Sequence, residues 1–118
     1  MRTRVATHLD EASALDVVRA DGDAAGRQPS KAALAALRAV LRSPSTLTLV
    51  ADDGAVVGLL VAQLHGRELR LSLLCVAPGH RRQGAGRALV RALLERYPDV
   101  TTATDDPVVR GLLDRERP

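Results

Sequence analysis

The segment Val76–Gly86, VAPGHRRQGAG, decides how this sequence is interpreted. It carries three glycines, two arginines and a proline, and it lies between an apolar run, LRLSLLC, and an amphipathic run, RALVRALLERY. The apolar run predicts a buried strand, and the amphipathic run predicts a helix over Ala85–Tyr97 that ends before Pro98. The segment therefore joins the carboxyl end of a strand to the amino terminus of a helix.

This junction is suited to bind an anion. In an open α/β sheet, ligands bind beyond the carboxyl ends of strands, and the first N–H groups of a helix lack partners and carry positive partial charge. Gly84 and Gly86 remove side chains that would keep a phosphate at a distance, while Arg81 and Arg82 add positive charge. The pattern predicts a pyrophosphate site; the alternative is that both arginines are solvated surface residues.

Two common phosphate-binding motifs fit the segment poorly. Gly79 to Gly84 reads G-x-x-x-x-G, but Ala85 and Gly86 stand where a P-loop needs Lys and then Ser or Thr. The dinucleotide motif G-x-G-x-x-G begins at Gly84, yet Leu89 replaces its third glycine. The sequence therefore argues against nucleotide hydrolysis and against NAD binding.

The rest of the chain predicts a mixed α/β fold with helices on both faces of the sheet. Apolar or β-branched runs predict strands at Thr3–Leu9, Thr46–Ala51, Ala55–His65, Glu68–Val76 and Val100–Ala103. Helical spacing predicts helices at Glu11–Ala20 with Asp10 as the N-cap, after Ser30, at Ala85–Tyr97 and at Pro107–Arg115, with a loop over Asp21–Pro29. Tight turns at Asp53-Gly54 and Gly66-Arg67 predict an antiparallel meander. The fourth strand, the third helix and the fifth strand then form a right-handed βαβ unit, whose strands are parallel.

Composition bounds the class of protein. The chain has 118 residues, of which 46% are hydrophobic and 26% charged, which predicts one globular domain over residues 1–118. The only cysteine, Cys75, excludes an intramolecular disulfide and is read as a small buried hydrophobe. No signal peptide or membrane-length apolar segment is evident, which predicts a soluble cytoplasmic protein without membrane partners. His8 and His65 lack metal-ligand spacing, so no metal is expected.

The loop resembles the acetyl-CoA loop of the GNAT superfamily of N-acetyltransferases. That signature is Arg or Gln, two residues, Gly, one residue, then Gly or Ala, and Arg81-Arg82-Gln83-Gly84-Ala85-Gly86 matches it in full. The lead-in Val76-Ala77-Pro78 and the follow-on Arg87-Ala88-Leu89 are also typical of the family. The predicted order of strands and helices is similar to the family's over almost the whole chain.

The resemblance implies a site and a reaction. Acetyl-CoA would place its pyrophosphate on the backbone N–H groups of Gln83 to Arg87, Ala85 among them. Its pantetheine arm would pair with backbone around Leu74 and Val76, where the fourth and fifth strands splay apart. A neutral acceptor amine would then attack the thioester carbonyl, backbone N–H groups would stabilise the oxyanion, and a general base would take the proton.

The sequence departs from the family pattern where catalysis is concerned. Arg70 stands where histone-type members carry a glutamate base, so Glu68 is the catalytic candidate, with a role as a hairpin cap as the alternative. Relatives carry a tyrosine that protonates the thiolate, but this chain reads Asp105-Asp106-Pro107 and then Leu112-Leu113. At least one of the two aspartates is expected to cap the last helix. The chain reaches Pro118 without the final strand pair, which predicts a shortened carboxyl terminus.

Three functions follow, in order of preference. The first is an N-acetyltransferase that moves an acetyl group from acetyl-CoA to an amine of a small molecule, peptide or protein. The second is a non-catalytic coenzyme A binding module or sensor subunit. Nucleic-acid binding ranks last because the net charge is only +3 and Tyr97 is the sole aromatic residue.

The carboxyl-terminal region also predicts a homodimer. An uncovered fifth strand at Val100–Ala103 would invite pairing. The last helix adds an apolar surface of Val108, Val109, Leu112 and Leu113. The alternative is that this helix docks on the sheet of its own chain.

Overall fold

The computed structural model describes residues 1–24, 26–81 and 83–116. The strands are β1 (Arg2–Val5), β2 (Thr46–Asp52), β3 (Val56–His65), β4 (Glu68–Val76) and β5 (Thr101–Ala103). The helices are α1 (Glu11–Ala24), α2 (Lys31–Leu41), α3 (Ala85–Arg96) and α4 (Pro107–Glu116), with short 3-10 turns at His8–Asp10 and Pro78–His80. None of the helices in these ranges is long and apolar enough to cross a membrane.

The five strands form one sheet in the order β1-β2-β3-β4-β5. The first four pair antiparallel, and β5 pairs parallel with β4 after the α3 crossover. The predicted mixed α/β class, with its antiparallel meander and parallel fifth strand, is confirmed.

Helices cover both faces of the sheet because the central strands are apolar on both sides. On one face α3 and α4 pack against the sheet in a core that includes Leu60, Leu69, Leu89, Leu93 and Leu113. On the other face Ala14 of α1 packs with Val50, Leu59 and Val61, and Val40 and Leu41 of α2 lie at the margin of this cluster. The sheet therefore packs against α3 and α4 on one face and against α1 and α2 on the other, with a hydrophobic core on each face.

A bulge changes which face the second half of β4 presents. Val61 pairs with Leu73 and Ala62 pairs with Leu71, so Ser72 is an extra residue without a β3 partner. Leu71 packs on the α3 side, whereas Leu73, two positions later, packs on the α1 side. In a regular strand, residues two positions apart lie on the same face, so the bulge is what puts these two leucines on opposite faces.

The two parallel strands separate soon after they meet. The pairing of β4 with β5 covers only three residue pairs, from Glu68 with Thr101 to Arg70 with Ala103. Beyond Arg70, the edge of β4 that faces away from β3 has no strand partner in the described chain. This separation opens a wedge that points towards the amino terminus of α3.

The beginning of the chain differs from the sequence prediction. The first strand ends at Val5. Thr7 is the N-cap of the 3-10 turn His8–Asp10, which leads into α1, so Asp10 is not the N-cap that the sequence predicted. The hydroxyl of Thr7 accepts from Leu9 N–H, and Asp10 accepts from Thr7 N–H. Asp10 is buried, and Arg4 donates to both of its carboxylate oxygens, at 2.7 and 3.0 Å.

The predicted loop Asp21–Pro29 begins later than its composition suggests. Helix α1 continues through Ala24, so the first four residues of the expected loop, from Asp21, are helical. The predicted N-cap at Ser30 is confirmed, since its Oγ accepts from Ala33 N–H at 3.0 Å.

Both predicted hairpins form, but one turn is longer than expected. The loop between β2 and β3 has three residues, Asp53 to Ala55, rather than two, and Asp52 accepts from Gly54 N–H at 2.8 Å. The loop between β3 and β4 is the predicted pair Gly66-Arg67, and Gly66 adopts φ +62°.

Candidate functional site

The segment between β4 and α3 ends in an uncapped helix terminus. Gly84 adopts the left-handed conformation, with φ +83° and ψ +10°, and α3 begins at Ala85. The first helical bond runs from Ala88 N–H to the Gly84 carbonyl at 2.9 Å, so the N–H groups of Ala85, Gly86 and Arg87 precede the helical ladder. No described side chain caps this terminus. These backbone donors are therefore available to an external acceptor.

The glycines of this terminus have different surroundings. A Cβ atom on Gly84 would meet no heavy atom within 4 Å. Both Gly84 and Gln83 are exposed to solvent. A Cβ on Gly86 would lie 3.8 Å from Leu112 and 3.9 Å from Leu74, within ordinary contact distance. Gly84 thus leaves open space on the solvent side, whereas Gly86 faces α4 and β4.

Contacts to two other elements hold the loop that precedes the helix. Arg81 donates to Asp21, which lies in α1. His80 Nδ1 lies 3.3 Å from Gln83 Oε1 and 3.4 Å from Asp53 Oδ2 in the β2–β3 turn. Arg82, which the sequence also assigned to the site, lies outside the described residues. In this state, the guanidinium of Arg81 is occupied by a protein carboxylate.

Cys75 lies beneath this loop as a buried thiol. Burial raises its pKa to about 12, and the neighbouring carboxylate of Asp21 adds to the increase. A thiol with this pKa stays protonated at neutral pH and is a poor nucleophile. This agrees with the prediction that Cys75 is a small buried hydrophobe.

The side chain of Arg87 points away from the open terminus. Arg87 Nε donates to Glu116 Oε1 at 2.8 Å, and Arg91 Nη2 donates to Glu116 Oε2 at 3.0 Å. Hydrogen bonds from Arg87, and to a smaller extent from Arg91, hold the pKa of Glu116 below its usual value. The guanidinium of Arg87 is therefore paired with α4, and only the backbone N–H of this residue lies at the uncapped terminus.

The wedge between β4 and β5 contains a cavity of about 510 Å³. One wall comes from β4 and the other from the residues between β5 and α4; the lining residues are Arg70, Leu71, Ser72, Thr104, Asp105 and Asp106. Further along the unpaired stretch of β4, Leu74 and Val76 are half-buried and pack towards α3. An extended ligand arm could lie along this unpaired edge.

Carboxylates flank the wedge, but they are not equivalent. Asp106 Oδ1 caps α4 by accepting from Val108 N–H at 2.9 Å, which confirms that one aspartate of the pair is a cap. Asp105 is 97% exposed, with Oδ2 3.5 Å from Arg70 Nη1. Glu68 does not line the cavity, and its Oε1 lies 3.9 Å from Arg70 Nη2. Arg70 thus lies between the two carboxylates that are not used as caps.

Several residues at this site escaped the sequence analysis. Asp21 and Arg81 are 60 positions apart in the sequence, and Arg87 and Glu116 are 29 apart. No local sequence pattern therefore predicts either ion pair. Ser72 looks like an ordinary strand residue until its pairing partner is known. These assignments depend on tertiary structure, which a single sequence does not display.

Comparison with solved structures finds the same fold in several acetyltransferases. An aminoglycoside acetyltransferase from an uncultured soil metagenomic sample, solved with sisomicin, matches with a TM-score of 0.74 and 18% identity, over 99% of this chain and 87% of that one. The ribosomal-protein-S18-alanine N-acetyltransferase of Escherichia coli matches with a TM-score of 0.77 and 18% identity, over 97% of this chain and 74% of that one. An aminoglycoside 6'-N-acetyltransferase complexed with coenzyme A has a TM-score of 0.66 and 17% identity, over 83% of this chain and 56% of that one.

At these identities, the structural matches show a shared fold. Comparison with curated proteins gave no significant match. A family model described as the acetyltransferase (GNAT) family, however, matches residues 12–106, which include the loop, the wedge and most of the sheet. The chain therefore belongs to the GNAT family of acetyltransferases.

Proposed function

We propose that this protein transfers the acetyl group of acetyl-CoA to an amine of a small molecule, peptide or protein. One observation carries the proposal: an uncapped helix terminus with Gly84 in the left-handed conformation opens beside the unpaired edge of β4. Membership of the GNAT family supports acyl transfer, and one structural neighbour was solved with coenzyme A.

The residues present fit such a donor. The N–H groups of Ala85, Gly86 and Arg87 are free of helical partners, and the open space at Gly84 lets a pyrophosphate approach them. Arg81 supplies a positive charge beside them once it leaves Asp21, and Gln83 contributes its backbone. The unpaired edge of β4, with Leu74 and Val76, would hold the pantetheine arm.

The protein's part in the reaction is positioning and polarisation. When bound, the donor supplies an electrophilic thioester carbonyl. The bulge at Ser72 disrupts the β4 ladder next to the wedge, and backbone N–H groups of this stretch would stabilise negative charge on the carbonyl oxygen. The wedge orients the acceptor amine, which must lose a proton to become nucleophilic.

Glu68 is the general base we propose, with Asp105 as the competing carboxylate. Glu68 does not line the cavity but is ion-paired with Arg70, which does, whereas Asp105 lines the cavity itself. Glu68→Gln and Asp105→Asn therefore form a matched pair. The variant that lowers kcat without a large change in KM for the acceptor identifies the base.

A specific observation favours the second candidate, a coenzyme A binding module without catalysis. Glu68 and Asp105 are both ion-paired with Arg70, and Asp106 is used as a helix cap. Neither of the first two is a free base in this arrangement. Tight binding of acetyl-CoA without turnover on any amine would support this candidate.

The test combines binding with turnover. A ligand at one hundred times its Kd stabilises a protein by about 2.7 kcal/mol, which raises the Tm of a domain of this size by several degrees. Acetyl-CoA should produce this shift, and thiol release should follow when a panel of primary amines is added. The absence of any shift at millimolar acetyl-CoA would contradict both candidates.

A further inference from the structure

The β4–α3 loop (residues 77–84) carries a histidine that the proposed function does not yet use. Ala77 N–H donates to the carbonyl of Val57, near the start of β3, at 2.8 Å, and His80 N–H donates to the Ala77 carbonyl at 2.8 Å. These two bonds hold the 3-10 turn Pro78–His80 against β3. The 3-10 turn therefore lies beside the β2–β3 turn, which immediately precedes β3.

Two oxygen atoms lie next to the same ring nitrogen of His80. Gln83 Oε1 is 3.3 Å from Nδ1, and Asp53 Oδ2, in the β2–β3 turn, is 3.4 Å from it. A carboxylate only accepts hydrogen bonds, so these partners assign the proton of the neutral ring to Nδ1. Nε2 has no hydrogen-bond partner among the residues that the structure describes. It is the nitrogen that takes up the second proton when the ring becomes charged.

The charge of this contact depends on pH. A histidine changes charge between about pH 5 and pH 8, whereas an aspartate is ionised throughout that range. The pair of His80 and Asp53 therefore carries one net negative charge when the ring is neutral and no net charge when it is protonated. The neighbouring pair, formed by Arg81 and Asp21 of α1, stays neutral over the same range.

The His80–Asp53 pair lies next to the proposed pyrophosphate site. Gln83, the second partner of the ring, immediately precedes Gly84, the N-cap of α3, whose first N–H groups are uncapped. A net negative pair at this position repels a phosphate, and protonation of the ring removes that repulsion and adds a donor at Nε2. The side chains of His80 and Asp53 are only 35% and 34% exposed, so solvent screens this effect in part.

We propose that His80 is a proton-dependent binding residue for the pyrophosphate of the acyl donor, so that the protein takes up a proton at His80 when the donor binds. The proposal rests on the proposed acetyltransferase function, because it uses the same donor site. A phosphate near the ring favours the imidazolium, and by linkage the imidazolium favours the phosphate to the same extent. Donor affinity should therefore rise by about fivefold between pH 8 and pH 5.5, as expected for a partly exposed charge pair.

Two probes separate His80 from the titration of the donor itself. Acetyl-CoA carries a 3'-phosphate that changes charge in the same pH range, whereas dephospho-coenzyme A keeps the pyrophosphate and lacks that group. Calorimetry at pH 8 and pH 5.5, in buffers of different ionisation enthalpy, gives the Kd and the number of protons taken up. Both probes should bind more tightly at pH 5.5, with proton uptake. A pH dependence that appears with acetyl-CoA alone would overturn the proposal.

One variant removes the titrating group and keeps a hydrogen-bond donor. His80→Gln should abolish the difference in Kd between the two pH values for dephospho-coenzyme A, while its affinity at pH 8 stays close to that of the unmodified chain. His65→Gln is the matched control, because His65 is exposed at the end of β3 and pairs with the first residue of β4, at the far end of that strand from the loop. Unchanged pH dependence in His80→Gln, or its loss in His65→Gln, would overturn the proposal.

NMR of the ring nitrogens gives an independent readout. In the free protein at pH 8, His80 should show the tautomer protonated at Nδ1, and a ring protonated at Nε2 would contradict the contact with Asp53. The calorimetric result also separates this proposal from the proposed function. If acetyl-CoA binds at neither pH, both fail; if it binds with the same Kd at both pH values, only the role of His80 fails.

Discussion

Among single residues, Gly84 carries the most specific prediction. Gly84→Val should abolish acetyl-CoA binding while the protein remains folded, because the branched side chain would occupy the open space through which the pyrophosphate reaches the backbone. Left-handed backbone at a residue with a Cβ costs about 1–2 kcal/mol, so some loss of stability is also expected.

Gly66→Val separates that strain from the loss of the site. Gly66 also has a positive φ, of +62°, and open space at its Cβ, but it lies in the β3–β4 turn. Its variant should show a similar fall in Tm and normal acetyl-CoA affinity, both measured by thermal melts with and without the donor. Normal affinity in Gly84→Val would remove Gly84 from the site.

Asp10 gives the clearest expectation for pH. Hydrogen bonds, chiefly from Arg4, hold its pKa at about 2, below the usual 3.8. Because the folded pKa is the lower one, this stabilisation is fully present above about pH 4 and is lost as the pH falls towards 2. Asp10→Asn should therefore reduce the free energy of unfolding by about 2 kcal/mol at pH 7, and by progressively less between pH 4 and pH 2.

Urea unfolding at several pH values measures this difference. Asp16→Asn is the matched control, because Asp16 forms only an exposed pair with Arg19 at 3.2 Å and should change stability little at any pH. A constant difference between Asp10→Asn and the unmodified chain from pH 7 to pH 2 would contradict the linkage.

Among the secondary-structure elements, α4 is preceded by two adjacent aspartates, Asp105 and Asp106, of which only Asp106 caps the helix. Asp106 caps the helix, so Asp106→Ala should lower the free energy of unfolding by about 1 kcal/mol. Asp105 is almost fully exposed and makes no cap contact, so Asp105→Ala should leave stability unchanged. Chemical denaturation of both variants tests this, and equal losses would mean that the cap is shared.

The ion pair between Asp21 of α1 and Arg81 predicts competition for the Arg81 guanidinium. Asp21 holds the guanidinium that we propose for the pyrophosphate, so Asp21→Asn should tighten acetyl-CoA binding, by about fivefold at most for an exposed pair. Arg81→Ala should weaken binding by about 1–2 kcal/mol, as expected for one charge-assisted contact.

A double-mutant cycle distinguishes competition from a general effect of charge. In the Arg81→Ala background, Asp21→Asn should have no effect on acetyl-CoA affinity measured by calorimetry. An unchanged gain in that background would show that Asp21 acts without Arg81.

For the molecule as a whole, local signals in the sequence predicted the elements but not the contacts between distant ones. The sheet order and the α3 crossover followed from the Gly66 turn and from the parallel βαβ rule. Asp10 was misread as an N-cap because a 3-10 turn at His8–Asp10 precedes α1 and begins after Thr7, whose N–H donates to Asp10. The extra residue at Ser72 was invisible because a bulge is defined by the partner strand. Gly84 was recognisable because its requirement for a positive φ is local.

The dimer stays a prediction, and α4 exposes less apolar surface to a partner than the sequence suggested. Val109 and Leu113 are buried on the chain's own core and Leu112 packs against it, so the helix docks on its own sheet. Val108 is 70% exposed and is the apolar residue of α4 that remains for a partner. If α4 forms a dimer, Val108→Asp should dissociate it in sedimentation experiments without lowering the Tm. A monomeric unmodified chain at micromolar concentration would reject the prediction.

The bulge at Ser72 also determines how this chain tolerates changes in length. Deleting Ser72 would remove only the extra residue, so Leu71 would still pair with Ala62 and Leu73 with Val61, and every following residue of β4, Leu74 included, would keep its face. A single-codon deletion of Ser72 should therefore leave both cores intact, as should a residue inserted in the solvent-exposed turn at Gly54. Deleting Leu60, in the middle of β3, would instead turn part of that strand to the opposite face and damage both cores. Insertions and deletions in this protein should accordingly be confined to its turns and to the bulge, and the middle of β3 should keep its length even where its side chains are exchanged.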